Sequence, residues 1–216
     1  MIKAIIFDFD GVILESVDIK TRAFKIMFSD KKEHLDNIIK LHVENGGMSR
    51  YEKFKIIYRD FLKEPLSNET LDQLGQKFSD IVYDEVVKCP FVNGAKELLD
   101  KYLGKYPMFI VSGTPEGEIR SIVEKRGLSR YFKEVFGAPA NKKDLIVRIL
   151  DKYSYSSNEL VFVGDSMNDY NAAKEAGIKF VGRRLSPGFD PFKEVHCESV
   201  VDDMREFMEL IDEEKI

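Results

Sequence analysis

The chain has 216 residues, 44% of them hydrophobic and 33% charged, with 33 Lys and Arg against 38 Asp and Glu. That is the make-up of a globular protein with material for a real core, long enough for one domain with an insertion or for two small domains. A net charge of −5 argues against general nucleic-acid binding, and no stretch approaches the roughly 18 consecutive apolar residues of a membrane span.

The first predicted element is a buried strand over residues 4–8, apolar, rich in β-branched residues and ending abruptly in acid. The N-terminus runs straight into it without a signal-peptide pattern, and Cys89 and Cys197 lie far apart with no metal spacing. A cytoplasmic protein with two free thiols is therefore expected. Asp8 and Asp10 are two apart, so in extended chain both carboxylates project to one side. There their repulsion and desolvation are tolerable only with a cation between them or a function that needs them. Gly11 lets the chain turn away without crowding that site.

Residues 17–87 read as helical throughout, with Phe24 and Phe28, then Phe54, Tyr58 and Phe61, then Phe78 and Val82 recurring at helical spacing. Pro65 and Ser67-Asn68 mark a break between two helices. These aromatic stripes are expected to form a core rather than a ligand platform. Within the block, Asn45-Gly46-Gly47-Met48-Ser49-Arg50 precedes a helix at Tyr51. Gly46 and Gly47 allow close backbone approach, and Ser49 suits an N-cap. Arg50 is a cation against the helix dipole whose planar fork suits a carboxylate or phosphate; the plainer reading is a solvated arginine on an exposed loop.

From Pro90 the pattern alternates. Helices over 95–103, 116–126, 144–153, 170–176 and 204–211 are interleaved with strands over 108–111, 134–136, 160–163 and 179–181, and a last strand near Val200. This predicts an α/β fold: a Rossmann-like doubly wound parallel sheet with an inserted α-helical cap. The core would comprise residues 1–15 and 90–216, the cap residues 16–89, joined by linkers near 13–17 and 87–92. Ligands in such sheets bind at the carboxyl ends of the strands.

Three further strand ends carry chemistry. In Ser112-Gly113-Thr114-Pro115, Thr114 suits an N-cap and Pro115 the first helical position, so a hydroxyl, a glycine amide and a helix N-terminus would together make a phosphate site, or merely a capped turn. In Asn141-Lys142-Lys143-Asp144, two lysines sit in a first helical turn, each opposing the dipole by roughly 0.3–1 kcal/mol. Either lysine could neutralise an aspartate and a phosphate oxygen, or both could be solvated. In Gly164-Asp165-Ser166-Met167-Asn168-Asp169, Asp165 could face Asp8 and Asp10, with Asp169 one turn later. Hard oxygen ligands without His or Cys favour magnesium over zinc; the competing reading is helix capping by Asp165 or Asn168. His34, His42 and His196 show no metal spacing, and Arg183-Arg184 reads as a solvated pair or a salt bridge to the cap.

With these residues in hand, the chain resembles the haloacid dehalogenase superfamily. Asp8-Phe9-Asp10-Gly11-Val12 resembles its first motif, Ser112-Gly113-Thr114 the second, Lys142 or Lys143 the third, and Gly164 to Asp169 the fourth, in the right order and spacing. The helical insertion directly after the first motif resembles the branch that holds phosphoglycolate phosphatases and β-phosphoglucomutases. Dehalogenases themselves lack the second aspartate of the first motif, so Asp10 points to phosphate transfer. The resemblance implies a Mg2+-dependent phosphomonoester hydrolase acting on a small phosphorylated metabolite. Asp8 would be the nucleophile that forms an aspartyl-phosphate and Asp10 the general acid and base. Mg2+ would be held by Asp8, Asp10 through its carbonyl, and Asp165, supported by Asp169. Ser112, Gly113, Thr114 and the motif lysine would hold the phosphate oxygens. The Gly-Met-Ser-Arg run is similar to the substrate-recognition loop of β-phosphoglucomutases, implying substrate contacts from Gly47, Ser49 and Arg50. A sugar-phosphate mutase is accordingly the alternative, against which stand Lys20, where that family usually has histidine, and Glu15, where a shorter polar residue is common. A non-catalytic phosphate-binding regulatory module is the alternative of another class, and intact Asp10 and Asp165 argue against it.

Overall fold

Ala4–Phe7 forms β1, and all four residues are buried because they lie at the centre of a sheet covered on both faces. The computed structural model describes residues 1–186 and 190–216. Beside β1 on one side lie β2 (Met108–Pro115) and then β3 (Phe132–Ala138). On the other lie β4 (Leu160–Gly164), β5 (Lys179–Arg183) and β6 (Ser199–Val201), and every pairing is parallel. Parallel strands buried on both faces need no polar side, which is why Ala4–Phe7 and Leu160–Gly164 are unbroken apolar runs.

The period of two divides the sheet between two cores. Ile5, Phe7, Ile110, Val161 and Val163 face α5 (Ala95–Tyr102), α6 (Glu116–Lys125) and α9 (Met204–Asp212). Ala4, Ile6, Phe109, Val111 and Phe162 face α7 (Lys142–Tyr153) and α8 (Met167–Ala176). The sheet is thus doubly wound, as the alternating pattern predicts.

Between β1 and α5 the chain makes α1 (Val17–Met27), α2 (Leu35–Glu44), α3 (Arg50–Ile56) and α4 (Asn68–Lys88). A π-helical turn, Ile57–Leu62, extends α3 until Lys63 adopts a left-handed conformation, and Ser67 caps α4 by accepting from the Thr70 amide at 3.1 Å. Phe24, Phe54 and Phe78 meet with ring centroids 5.2–6.4 Å apart, so the aromatic stripes are indeed a core. Each such buried ring contributes roughly 1.5–3 kcal/mol. The two linkers are tied to each other: Glu15 N–H donates to Pro90 O and Val92 N–H to Ile13 O, both at 3.0 Å.

One local expectation fails. Thr114 does not cap a helix, because β2 continues through it to Pro115, which pairs with Ala138 after a register shift, and α6 starts at Glu116 with no side-chain cap. Arg183 is likewise no solvated residue. It is 6% exposed and its guanidinium donates to the Glu15 carboxylate and to the Gly11 and Asp202 carbonyls, pinning the first linker to β5.

Candidate active site

β1 and β4 are neighbours in the sheet, so their carboxyl ends deliver Asp8 and Asp165 side by side. Asp8 is 2% exposed; its Oδ1 accepts from the Phe9 amide at 2.7 Å, and its Oδ2 lies 2.9 Å from Lys142 Nζ. Lys142 comes from the first turn of α7 and also donates to Asp169 Oδ1 at 2.5 Å. Its oppositely placed charge, unfavourable to the helix dipole, is thereby accounted for by two carboxylates. Asp169 is wholly buried and shares a capping box with Ser166, whose hydroxyl donates to Asp169 Oδ2 at 2.5 Å. Ser166, rather than Asp165 or Asn168, is therefore the cap of α8, which leaves Asp165 available.

Oxygens of Asp8, Asp165 and Asp169 lie within 4.8 Å of one another. Asp165 Oδ1 is buried and, among the described residues, accepts no hydrogen bond. Gly11, at φ +74°, sits so close that a Cβ there would come 2.7 Å from Asp165 Oδ2, so glycine is required by both conformation and space. Three carboxylates thus face one ammonium. Burial pushes Asp8 up to about 7, against the pull of Lys142 and reinforced by Asp169 and Asp10. Burial, then Asp169 and Asp8, also raises Asp165. Burial alone would lower Lys142, but Asp169 and Asp8 hold it above the ordinary lysine range. An excess of hard, buried anionic oxygens, one of them without a partner, fits a divalent cation such as Mg2+.

Asp10 lines the same cavity as Asp8 but stands outside the group formed by Asp8, Asp165 and Asp169. It accepts from Ser16 Oγ at 2.5 Å and Thr114 Oγ1 at 3.0 Å and pairs with Lys20 Nζ, which also donates to Thr114 Oγ1 at 2.7 Å. Burial would raise its pKa, but Lys20 and these hydrogen bonds hold it below the usual carboxylate value. Ser16 and Lys20 are four apart at the start of α1; that spacing was the available signal for their sharing a face.

The other expected site residues divide. Ser112 Oγ, buried within β2, accepts from the Thr114 amide at 3.1 Å. Gly113 is where the insertion touches the core: a Cβ there would lie 2.3 Å from the Gly47 carbonyl oxygen. Gly47, at φ +72°, in turn has Ser166 Oγ and Lys142 Nζ 2.7 and 3.1 Å from where its Cβ would be. Lys143 points elsewhere, 3.6 Å from Asp144 and 43% exposed. Ser49 caps α3 by accepting from the Tyr51 amide at 3.3 Å. Arg50 is not a solvated residue. Its fork donates to both oxygens of Glu118 on α6, at 2.5 and 3.0 Å, and it lies over Phe78. Between insertion and core is a cavity of about 330 Å³ lined by Asp8, Asp10, Asp165, Lys20, His42 and Lys53, among others.

The family follows from this architecture together with sequence comparison. The chain belongs to the haloacid dehalogenase-like hydrolases, whose family model matches residues 5–183. At finer resolution, a phosphoglycolate phosphatase of Photobacterium profundum is 28% identical over 227 aligned residues, taking in 100% of this chain and 96% of that one. A hydrolase from Pseudomonas syringae superposes with a TM-score of 0.79 at 20% identity, with 98% of each chain covered. The HAD hydrolase YfnB of Bacillus subtilis, a magnesium-bound structure that reveals interdomain movement, superposes at 0.70 and 18% identity, over 98% of this chain and 99% of that one. These two likenesses establish the fold.

Proposed function

We propose that this HAD-family phosphatase is a Mg2+-dependent phosphomonoester hydrolase acting on a small phosphorylated metabolite through an aspartyl-phosphate on Asp8. One observation carries the reading: Asp8, Lys142, and the pair Asp165 and Asp169, from three separate segments of the chain, meet at the carboxyl ends of the strands. Residues 16–89 would be the cap and residues 1–15 and 90–216 the core.

Asp8 and Asp165, with the Asp10 carbonyl, would hold Mg2+. When bound, the cation would neutralise phosphate charge and keep Asp8 ionised despite burial. An Asp8 carboxylate oxygen attacks phosphorus as the bond to the leaving oxygen breaks, and Asp10 supplies the proton that oxygen needs. Water then attacks the same phosphorus, Asp10 takes its proton, and Asp8 is released with inorganic phosphate. Lys142 stands beside the attacking carboxylate, where it can take an equatorial oxygen; Ser112 and the Gly113 amide would complete that cradle. Lys20 and Thr114 orient Asp10 and hold it as the carboxylate that the second half-reaction requires. For the first half, Lys20 must release its contact as substrate enters. The cap over the site keeps bulk water from the first step.

Hydrolysis is favoured over a sugar-phosphate mutase because Lys20, where that family usually has histidine, is paired with Asp10. Asp8→Asn should lower phosphate release from p-nitrophenyl phosphate with Mg2+ by roughly 10³-fold or more, without lowering the melting temperature, since it removes one of three crowded carboxylates. Wild-type turnover in that variant would dismiss Asp8 as nucleophile. Isomerisation of a hexose 1-phosphate without phosphate release would convert the reading to a mutase.

A further inference from the structure

The insertion contributes a buried cation that phosphoryl transfer does not use. Lys53, on α3, is 3% exposed and lines the cavity shared with Asp8 and Asp10. An ammonium has three donors. Lys53 directs one at His42 Nδ1, 3.1 Å away, and one at the His42 carbonyl, 3.2 Å away. His42 is itself buried with its ring 4.4 Å from Phe24, and burial, then Lys53, drives its pKa down to about 2, so it stays neutral. A neutral ring and a carbonyl therefore aim the ammonium without compensating its charge. The third donor has no protein acceptor among the described residues.

The other buried basic groups around the site are all matched. Lys142 has Asp8 and Asp169, Lys20 has Asp10, and Arg50 has Glu118. Among the described residues, no carboxylate stands within 4 Å of Lys53. An ammonium out of water with no anion is costly to fold around, and such groups are retained where a ligand supplies the counter-charge. Burial, with Lys20 and Lys142 adding and Asp165 and Asp10 subtracting, holds its pKa down to about 7.

We propose that Lys53 is the specificity-determining residue of this cavity, and that it selects phosphomonoesters carrying a second anionic group, a carboxylate or a second phosphate, which its third N–H receives. The proposal rests on the reading of Asp8 as the place where the ester phosphate binds. It replaces Arg50, which the sequence put forward for that task, with a residue three positions on along the same helix.

The test compares 2-phosphoglycolate and ethane-1,2-diol bisphosphate with ethyl phosphate, on the wild type, Lys53→Met and Lys53→Arg. In the wild type kcat/KM should favour at least one charged ester over ethyl phosphate. That preference should fall about 10- to 100-fold in Lys53→Met, through KM, the worth of one charge-assisted hydrogen bond, and partly return in Lys53→Arg. Preference for the first ester alone identifies a carboxylate, for the second a phosphate. No preference in the wild type, or equal losses on all three esters in Lys53→Met, would overturn the proposal. Calorimetric binding of 3-phosphonopropionate and butane-1,4-bisphosphonate against propylphosphonate gives the same comparison without turnover. An absence of hydrolysis would therefore count against the phosphatase, while loss or persistence of binding selectivity in Lys53→Met decides the role of Lys53.

Discussion

His42 and Lys53 make a buried pair whose charge state has a cost that can be measured. His42 is neutral in the fold, whereas the unfolded chain takes up a proton near the ordinary histidine value of 6.5. Its folded pKa is depressed, so its contribution to stability is complete above about 6.5 and is lost as pH falls from there toward 2. Between pH 7 and pH 5 this single group should remove about 2 kcal/mol from the free energy of unfolding. Urea unfolding of the wild type and His42→Gln at both pH values checks it. The wild type should lose about that much more than the variant, and parallel losses would show that the ring is protonated in the fold. Residue identity was legible in the sequence where chemistry left one option, as for Asp8 and Asp165 at strand ends. It was not legible where partners are remote. Nothing near Arg50 announces Glu118, and nothing near Asp10 announces Thr114, 104 residues away.

At the scale of elements, α3 and α6 are held by the Arg50–Glu118 fork, and α4 and α6 by Tyr83 Oη against Ser121 Oγ at 2.5 Å. α8 reaches the loop before α3 through Asn168, whose amide donates to Gly46 O at 2.7 Å. Glu118→Gln would leave a buried guanidinium without its counter-charge, at about 3–5 kcal/mol if the closed arrangement persisted. The element contact should therefore give way first. Hydrogen exchange over residues 45–50 should quicken at least about tenfold while the sheet amides stay protected. Unchanged exchange there would deny the fork a role in closure. The helices themselves were readable because their aromatic positions repeat at 3.6. The end of β2 was not, since Thr-Pro is equally a helix start and a strand exit, and only the ladder to Ala138 decides between them.

For the whole molecule, the order β3-β2-β1-β4-β5-β6 makes a single site out of motifs up to about 160 residues apart, because it sets the first motif against the fourth. Alternation in the sequence gives the layers and the parallel sense, yet which strands are neighbours depends on crossovers that no local pattern encodes. The resulting cluster of Asp8, Asp165 and Asp169 should make global stability depend on Mg2+. At a hundred times its dissociation constant, the ion would add about 2.7 kcal/mol, or roughly 5–10 °C for a chain of this size. EDTA should reverse that gain, and Asp165→Ala should abolish it. A melting temperature indifferent to Mg2+ would mean that the acids are not a cation site.

The linkers that leave and rejoin the sheet are bonded to each other through Glu15, Pro90, Ile13 and Val92, and Arg183 fastens the first of them to β5. The helices α1 to α4 therefore join the sheet covalently through one narrow stalk. A cassette borrowed from another protein could be spliced at that stalk without disturbing any strand pairing. Reactivity and taste in substrates would then be heritable as separate modules, free to diverge at different speeds.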